Sequence, residues 1–251
     1  DFADRINNFV FRVPLPLVLF SDLASVDFSR AWDIEFVLFC FTVTVISIGI
    51  SAAVSCLWKD KTIRGEFIQS CYRSSAALLG IAFIQNIYGN AGMAPLMIIG
   101  SVPLYNVMAV LVLSLFGKES QTLDKAVLKQ TLKGIITNPI ILGIAAGLLW
   151  SALKLTVPYI MERAVENVAG TATPLGLIAM GASFDIRKAF LKIKPSVTAA
   201  FIKLAGFCAL FLPAAVHMGF RREELVAILV MLGSATTVTS FVMAKNMGHD
   251  G

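Results

Sequence analysis

Two short clusters of small and hydroxyl-bearing residues stand inside otherwise apolar stretches: Arg73–Ala82 and Ser234–Ser240. The first brings Arg73, Ser74, Ser75 and Gly80, the second Ser234, Thr236, Thr237, Thr239 and Ser240. A guanidinium matches a carboxylate bidentately. Hydroxyls and unwound peptide groups add neutral donors, and half-helix N-termini add partial positive charge. The chemistry on offer is the holding of a small anion, not the breaking of a bond. Gln85, Asn86, Tyr105 and Asn106 are further polar groups, read as candidate lining of a pathway. Lys203, the other cation inside an apolar segment, is expected to snorkel towards headgroups.

Other chemistries find little footing. No nucleophile triad or acid–base pair falls within the apolar stretches, so no enzyme is expected. Cys40, Cys56, Cys71 and Cys208 are scattered without a CxxC pair, and His217 and His249 are isolated. No metal, disulfide or cofactor is expected from them. The net charge of +5 is spread between loops and makes no case for a nucleic-acid partner.

The elements that must carry these clusters are membrane helices. Of 251 residues, 57% are apolar and 15% charged, against roughly 45–50% and about 25% in soluble domains. A globule of this size cannot hide that excess. Ser74 to Gly117 runs 44 residues without a charge. Phe36–Leu57, Gly134–Leu153, Asn167–Phe184 and Leu225–Ala244 are further uncharged runs. A span needs about 20 apolar residues, and the runs lack the alternation of barrel strands. Eight helical segments are expected, near Ile6–Ala24, Ile34–Trp58, Glu66–Gly89, Gly92–Phe116, Gly134–Leu155, Gly170–Phe184, Pro195–Val216 and Leu225–Met247. Arg73 then lies seven residues into its segment, about 10 Å deep at 1.5 Å per residue. Asn138–Pro139 reads as a helix start, and Glu162 and Glu166 as a solvated face.

Lysine and arginine orient the segments. With the first loop cytoplasmic, fourteen fall on inside loops and five on outside loops. The chain also repeats itself. Pro16–Phe28 aligns with Pro174–Ile186 at an offset of 158, and Ser75–Gly92 with Ser234–Gly251 at 159. The topology places Asp27 outside and Asp185 inside, so the copies are inverted, as in secondary transporters that alternate access between two sides. The expected organisation is residues 1–116 as the first repeat, 117–133 as a short cytoplasmic connection and 134–251 as the second repeat. The alignment leaves one helix of each copy without a counterpart, so one further span is expected before Asp1 and one after Gly251.

The stretches RINNFVFRVPLPLVLFSDLA, CYRSSAALLGIAF, TNPIILGIAAGLL, ATPLGLIAMGASF and SFVMAKNMG, in that order, resemble the auxin efflux carrier family over essentially the whole chain. The short central connection is similar to that of bacterial members. The resemblance implies an all-α, NhaA-like membrane fold of five plus five helices, eight of the ten present, with crossing broken helices. It also implies transport of small organic anions, auxin-like or, in bacterial relatives, dicarboxylates such as malonate. Family members usually carry Asn where Ser75 stands, often Pro where Ala82 stands and commonly Pro near Thr236. A contact through that Asn does not carry over, and unwinding here must rest on Gly and on Ser/Thr back-bonding.

The expected function is secondary transport of small organic anions by alternating access, the alternative being a channel or a substrate-sensing receptor that kept the fold. The expected partners are the lipid bilayer, the anion, a coupling ion (proton or sodium) left open, and a second copy as a homodimer. The expected location is the cell membrane, of bacterial inner-membrane type. Topology is testable directly. In a cysteine-free background, Lys125→Cys and Lys192→Cys should resist an impermeant maleimide in intact cells, and Ser29→Cys should be labelled; the reverse pattern would overturn the orientation.

Overall fold

The structure is a computed structural model that describes residues 2–24, 33–89, 92–116, 137–155 and 158–249. The expected connection 117–133 and residues 25–28, 90–91 and 250–251 of the repeat blocks lie outside the described residues. Among the described residues all regular structure is helical. Five helical stretches are long and apolar enough to cross a membrane: Phe2–Ala24, Ile34–Ser55, Ala94–Leu115, Ile193–His217 and Arg222–Asn246, the last interrupted at 234–237. They match five of the eight expected segments. The other three are helical too, but divided or shorter: the segment at 64–88 is interrupted, and those at 139–152 and 172–183 run 14 and 12 residues.

The chain forms two compact units, each drawing on both ends of the sequence. The first comprises residues 1–31, 109–184 and 238–251. In it, α1 (Phe2–Arg12) and α2 (Pro14–Ala24) follow each other through Val13, whose N–H still reaches the carbonyl of Phe9 at 3.0 Å. Pro14 and Pro16 lack an N–H, so a helix that continues through them forgoes two bonds.

α2 buries Leu15, Leu19 and Leu23, four residues apart on one face. Alongside it packs the helix Pro139–Ala152, which starts as the sequence predicts: Asn138 Oδ1 accepts from the Ile140 N–H at 2.9 Å, with Pro139 in the first turn. Glycine makes this contact close. A Cβ on Gly143 would sit 2.5 Å from the Pro16 carbonyl oxygen, and one on Gly147 2.8 Å from that of Phe20. Small residues four apart are how apolar helices approach without a hydrophobic driving force. The amphipathic helix Tyr159–Gly170 exposes Glu162 and Glu166, the latter 3.8 Å from Arg163. The helix Ala172–Ser183 lies against α1 and against Val238–Asn246.

The second unit comprises residues 32–108 and 185–237. Here α3 (Ile34–Ser55) is started by Asp33, whose carboxylate accepts the Phe36 N–H at 3.0 Å. It packs on α4 (Arg64–Tyr72) and closely on α6 (Ala94–Leu115), where a Cβ on Gly100 would meet the Val37 carbonyl oxygen at 2.8 Å. Between α4 and α6 come a π-helical turn, Ala76–Gly80, and α5 (Ile81–Tyr88), closed by Gly89 at φ 75°. From the far part of the sequence come Ile193–Phe201, a second π-helical segment Ile202–Phe207, Cys208–His217 and Arg222–Gly233. Both π segments pack on Arg222–Gly233. Outside the spans, Asp60 accepts from the Thr62 hydroxyl at 2.6 Å and its N–H at 2.9 Å, with Lys192 at 4.0 Å. The Thr62 hydroxyl, then its N–H, and then Lys192 hold that carboxyl below its usual range.

The glycine contacts in the first unit give a direct test. Gly143→Leu and Gly147→Leu should each cost about 1–3 kcal/mol through overpacking against backbone, seen as a lowered unfolding temperature. Gly49→Ala, where an added Cβ meets nothing within 4 Å, should not lower it.

Candidate functional site

In the second unit a helix interrupted after Tyr72 meets the end of the helix Arg222–Gly233, where that helix too is interrupted. α4 ends where Arg73, at φ −79° and ψ 125°, turns extended, its N–H making the last helical bond to Gln69 at 3.0 Å. Helical pairing resumes after Ser75, whose carbonyl accepts from Leu79 at 2.9 Å and Gly80 at 3.3 Å. The helix Arg222–Gly233 likewise ends as Ser234 turns extended, at φ −79° and ψ 157°, and helix resumes at Val238.

An interrupted helix leaves orphan peptide groups, and here each break serves the other. The Ser75 N–H donates to the Ala235 carbonyl at 3.0 Å. The Thr236 hydroxyl donates to the Ser70 carbonyl at 3.4 Å. The Arg73 carbonyl receives the Lys203 ammonium at 2.7 Å, and that same ammonium donates to the Ser74 hydroxyl at 2.6 Å.

Arg73, Ser74 and Ser75 are all buried. The Arg73 guanidinium donates to Asn106 Oδ1, and the Asn106 amide is set by its own bond to the Val102 carbonyl at 2.9 Å. The Tyr72 hydroxyl donates to the Tyr105 carbonyl at 3.2 Å, and that of Tyr105 to Met231 at 3.5 Å. Tyr105 and Asn106 are therefore buried beside the first break, whereas Gln85 and Asn86 stand exposed on α5. Gly80 is a place of close approach, since a Cβ there would lie 2.9 Å from Met97 Cε. The buried Ser234 hydroxyl finds no hydrogen-bond partner among the described residues. Thr236 is exposed and Thr237 half-buried. Thr239 and Ser240 belong to Val238–Asn246 and to the first unit, where Ser240 is buried.

Lys203 corrects the sequence reading. It does not snorkel: it is 2% exposed and ends on the first break. The π-helical segment that carries it packs on α4, which brings a residue 130 positions away in sequence to the Arg73 carbonyl. The signal that singled out Arg73, a lone charge within an apolar run, was present at Lys203 too.

The family described as membrane transport protein matches residues 1–250. The chain belongs to the auxin efflux carrier family. It is an all-α, multi-pass membrane transport protein, as composition and motifs predict. No curated protein matches it. As a member of this family it works in a lipid bilayer on a transported substrate.

The crossing predicts an asymmetry between two serines of this auxin efflux carrier family protein. Ser75→Pro deletes the donor to the Ala235 carbonyl, at a cost of about 0.5–1.5 kcal/mol. Ser234→Ala deletes a hydroxyl that has no partner among the described residues, so the unfolding temperature of the unliganded protein should stay unchanged or rise. A large fall for Ser234→Ala would mean that its hydroxyl is engaged.

Proposed function

We propose that this protein is a secondary transporter of small organic anions, carboxylates of auxin-like or malonate-like kind, that gives access to its site from one membrane side at a time. The observation that carries the reading is the crossing itself: two interrupted helices joined through Ser75 and Ala235, with two buried cations, Arg73 and Lys203, against them. Unwound backbone at a helix break is tolerated at membrane depth where it is buried in protein or lines a polar cavity. In secondary transporters such breaks are where substrate is held. Positive side chains there select for negative charge.

Arg73, Ser74, Ser75, Gly80, Ser234, Thr236 and Thr237 are the residues of this unit assigned to the site, with Tyr105 and Asn106 supporting Arg73. The inverted-repeat reading is supported by where the breaks fall. Ser75 and Ser234, which the offset of 159 pairs, both stand at a break. Repeats at 1–116 and 134–251, a bacterial inner membrane, a homodimer and coupling to a proton or sodium belong to the same reading.

The test is uptake of labelled carboxylates into proteoliposomes. Saturable, counterflow-competent flux is expected, and flux that never saturates would mean a channel instead. Imposing a proton or a sodium gradient then reads the coupling. Losing a buried charge contact costs about 3 kcal/mol, or roughly two decades of affinity. Arg73→Gln should therefore raise the half-saturation concentration about a hundredfold while the protein still folds. Normal affinity in that variant would remove Arg73 from the site.

A further inference from the structure

Among the described residues, Lys203 is a charged group without a matching charge beside it. Its side chain is 2% exposed, and the two acceptors on its ammonium, the Arg73 carbonyl at 2.7 Å and the Ser74 hydroxyl at 2.6 Å, are both neutral. An ammonium has three N–H donors, so one remains beyond these two. Among the described residues no carboxylate lies within ion-pair distance of it. The ionisable groups facing it from its own and the neighbouring helix are the thiols of Cys208 and Cys71. A buried charge is costly unless it is paired and hydrogen-bonded. Neutral acceptors meet the second requirement and leave the first unmet.

We propose that the Lys203 ammonium is a carboxylate-binding group of the transport site, held by Arg73 and Ser74 until an anion supplies its counter-charge. The proposal rests on the anion-transport reading above and assigns to that site a residue on a different helix from either break. Its position suits the role. The π-helical turn Ile202–Phe207 packs on both α4 and Arg222–Gly233, the two helices that end at the crossing. Ser234, at the end of the second of these, contributes a buried hydroxyl with no partner among the described residues, a neutral donor for the same carboxylate. The competing role is purely structural: a cation capping the last carbonyls of α4, which a helix C-terminus favours. The two roles differ in what an anion does to the protein.

The experiment is thermal unfolding of the purified full-length protein with increasing acetate, malonate, succinate or indole-3-acetate. Lys203→Gln and Lys203→Arg are run beside it. Gln keeps amide donors for Arg73 and Ser74 but removes the charge, and Arg keeps the charge. At least one of the four anions should stabilise the unaltered protein. Lys203→Gln should fold, and its apparent affinity for that anion should fall at least tenfold. Lys203→Arg should stay within about threefold of the unaltered protein. Stabilisation of Lys203→Gln equal to that of the unaltered protein would overturn the role of Lys203 and leave the transport reading standing. Failure of Lys203→Gln to fold, with Lys203→Arg intact, would assign the ammonium to holding the break and equally overturn the proposal. No response of the unaltered protein to any of the four, with no flux in proteoliposomes, would sink the transport reading and this inference with it.

Discussion

The bond from the Ser75 N–H to the Ala235 carbonyl is the contact on which the second unit turns. In hydrocarbon every peptide group must find its partner within the protein, because no water is there to take it. A helix does this alone, and a broken helix cannot. By crossing break against break, the chain lets each interruption satisfy the other, 160 residues apart in sequence, and it adds the Thr236 hydroxyl and the Lys203 ammonium for the carbonyls left over. The tight packing around the crossing follows from the same need. Gly80 admits Met97, Gly100 admits the α3 backbone, and Gly233 brings Cys208 Sγ within 3.3 Å of where a Cβ would stand. Each removes bulk where two helices must come close for their ends to meet.

Much of this was legible in the sequence, for identifiable reasons. Uncharged runs locate helices because a charge in lipid is costly, so all eight expected positions are helical. Hydroxyl-rich clusters within those runs locate breaks because Ser and Thr offer the backbone alternatives to its own ladder. Arg73–Ala82 and Ser234–Ser240 both contain one. Asn138–Pro139 was readable because an N-cap is a local event. What stayed hidden was tertiary. Nothing within a few residues of Lys203 says that it will reach Ser74, 129 positions earlier. Nor does local sequence say that Tyr105 and Asn106 will be buried beside Arg73. The spacing of Gly143 and Gly147 is a readable motif, yet that its partner is α2 depends on the fold.

The division into units was hidden for a related reason. Repeats are a property of the chain and run consecutively, whereas compactness is a property of contacts. The second unit takes residues 32–108 from one half and residues 185–237 from the other. A crossing of two broken helices demands this, since the breaks come from different halves of the sequence and must be enclosed by one body. The chain passes from the second unit to the first between Thr237 and Val238, at the end of the second break, and again within α6 between Met108 and Ala109, two residues after Asn106. The residues around Arg73 are thus tied to the course of the backbone as well as to one another.

The choice of cations at such a crossing carries its own logic. Peptide groups and hydroxyls are nearly indifferent to the sign of a solute, because they can turn either a donor or an acceptor towards it. Arg73 and Lys203 are not indifferent, as neither side chain can accept a hydrogen bond. Burying a cation costs free energy, and the two neutral contacts of the Lys203 ammonium recover that cost only in part. That cost is met when the protein folds, so an arriving carboxylate does not pay it again. Their neighbours also limit how far they can reorganise: Asn106, itself anchored on Val102, fixes the guanidinium, and the Arg73 carbonyl fixes the ammonium. A site of this kind gains affinity from preorganisation rather than from contact area. On the proposed reading it would therefore discriminate by charge more sharply than by the size or shape of the rest of the anion.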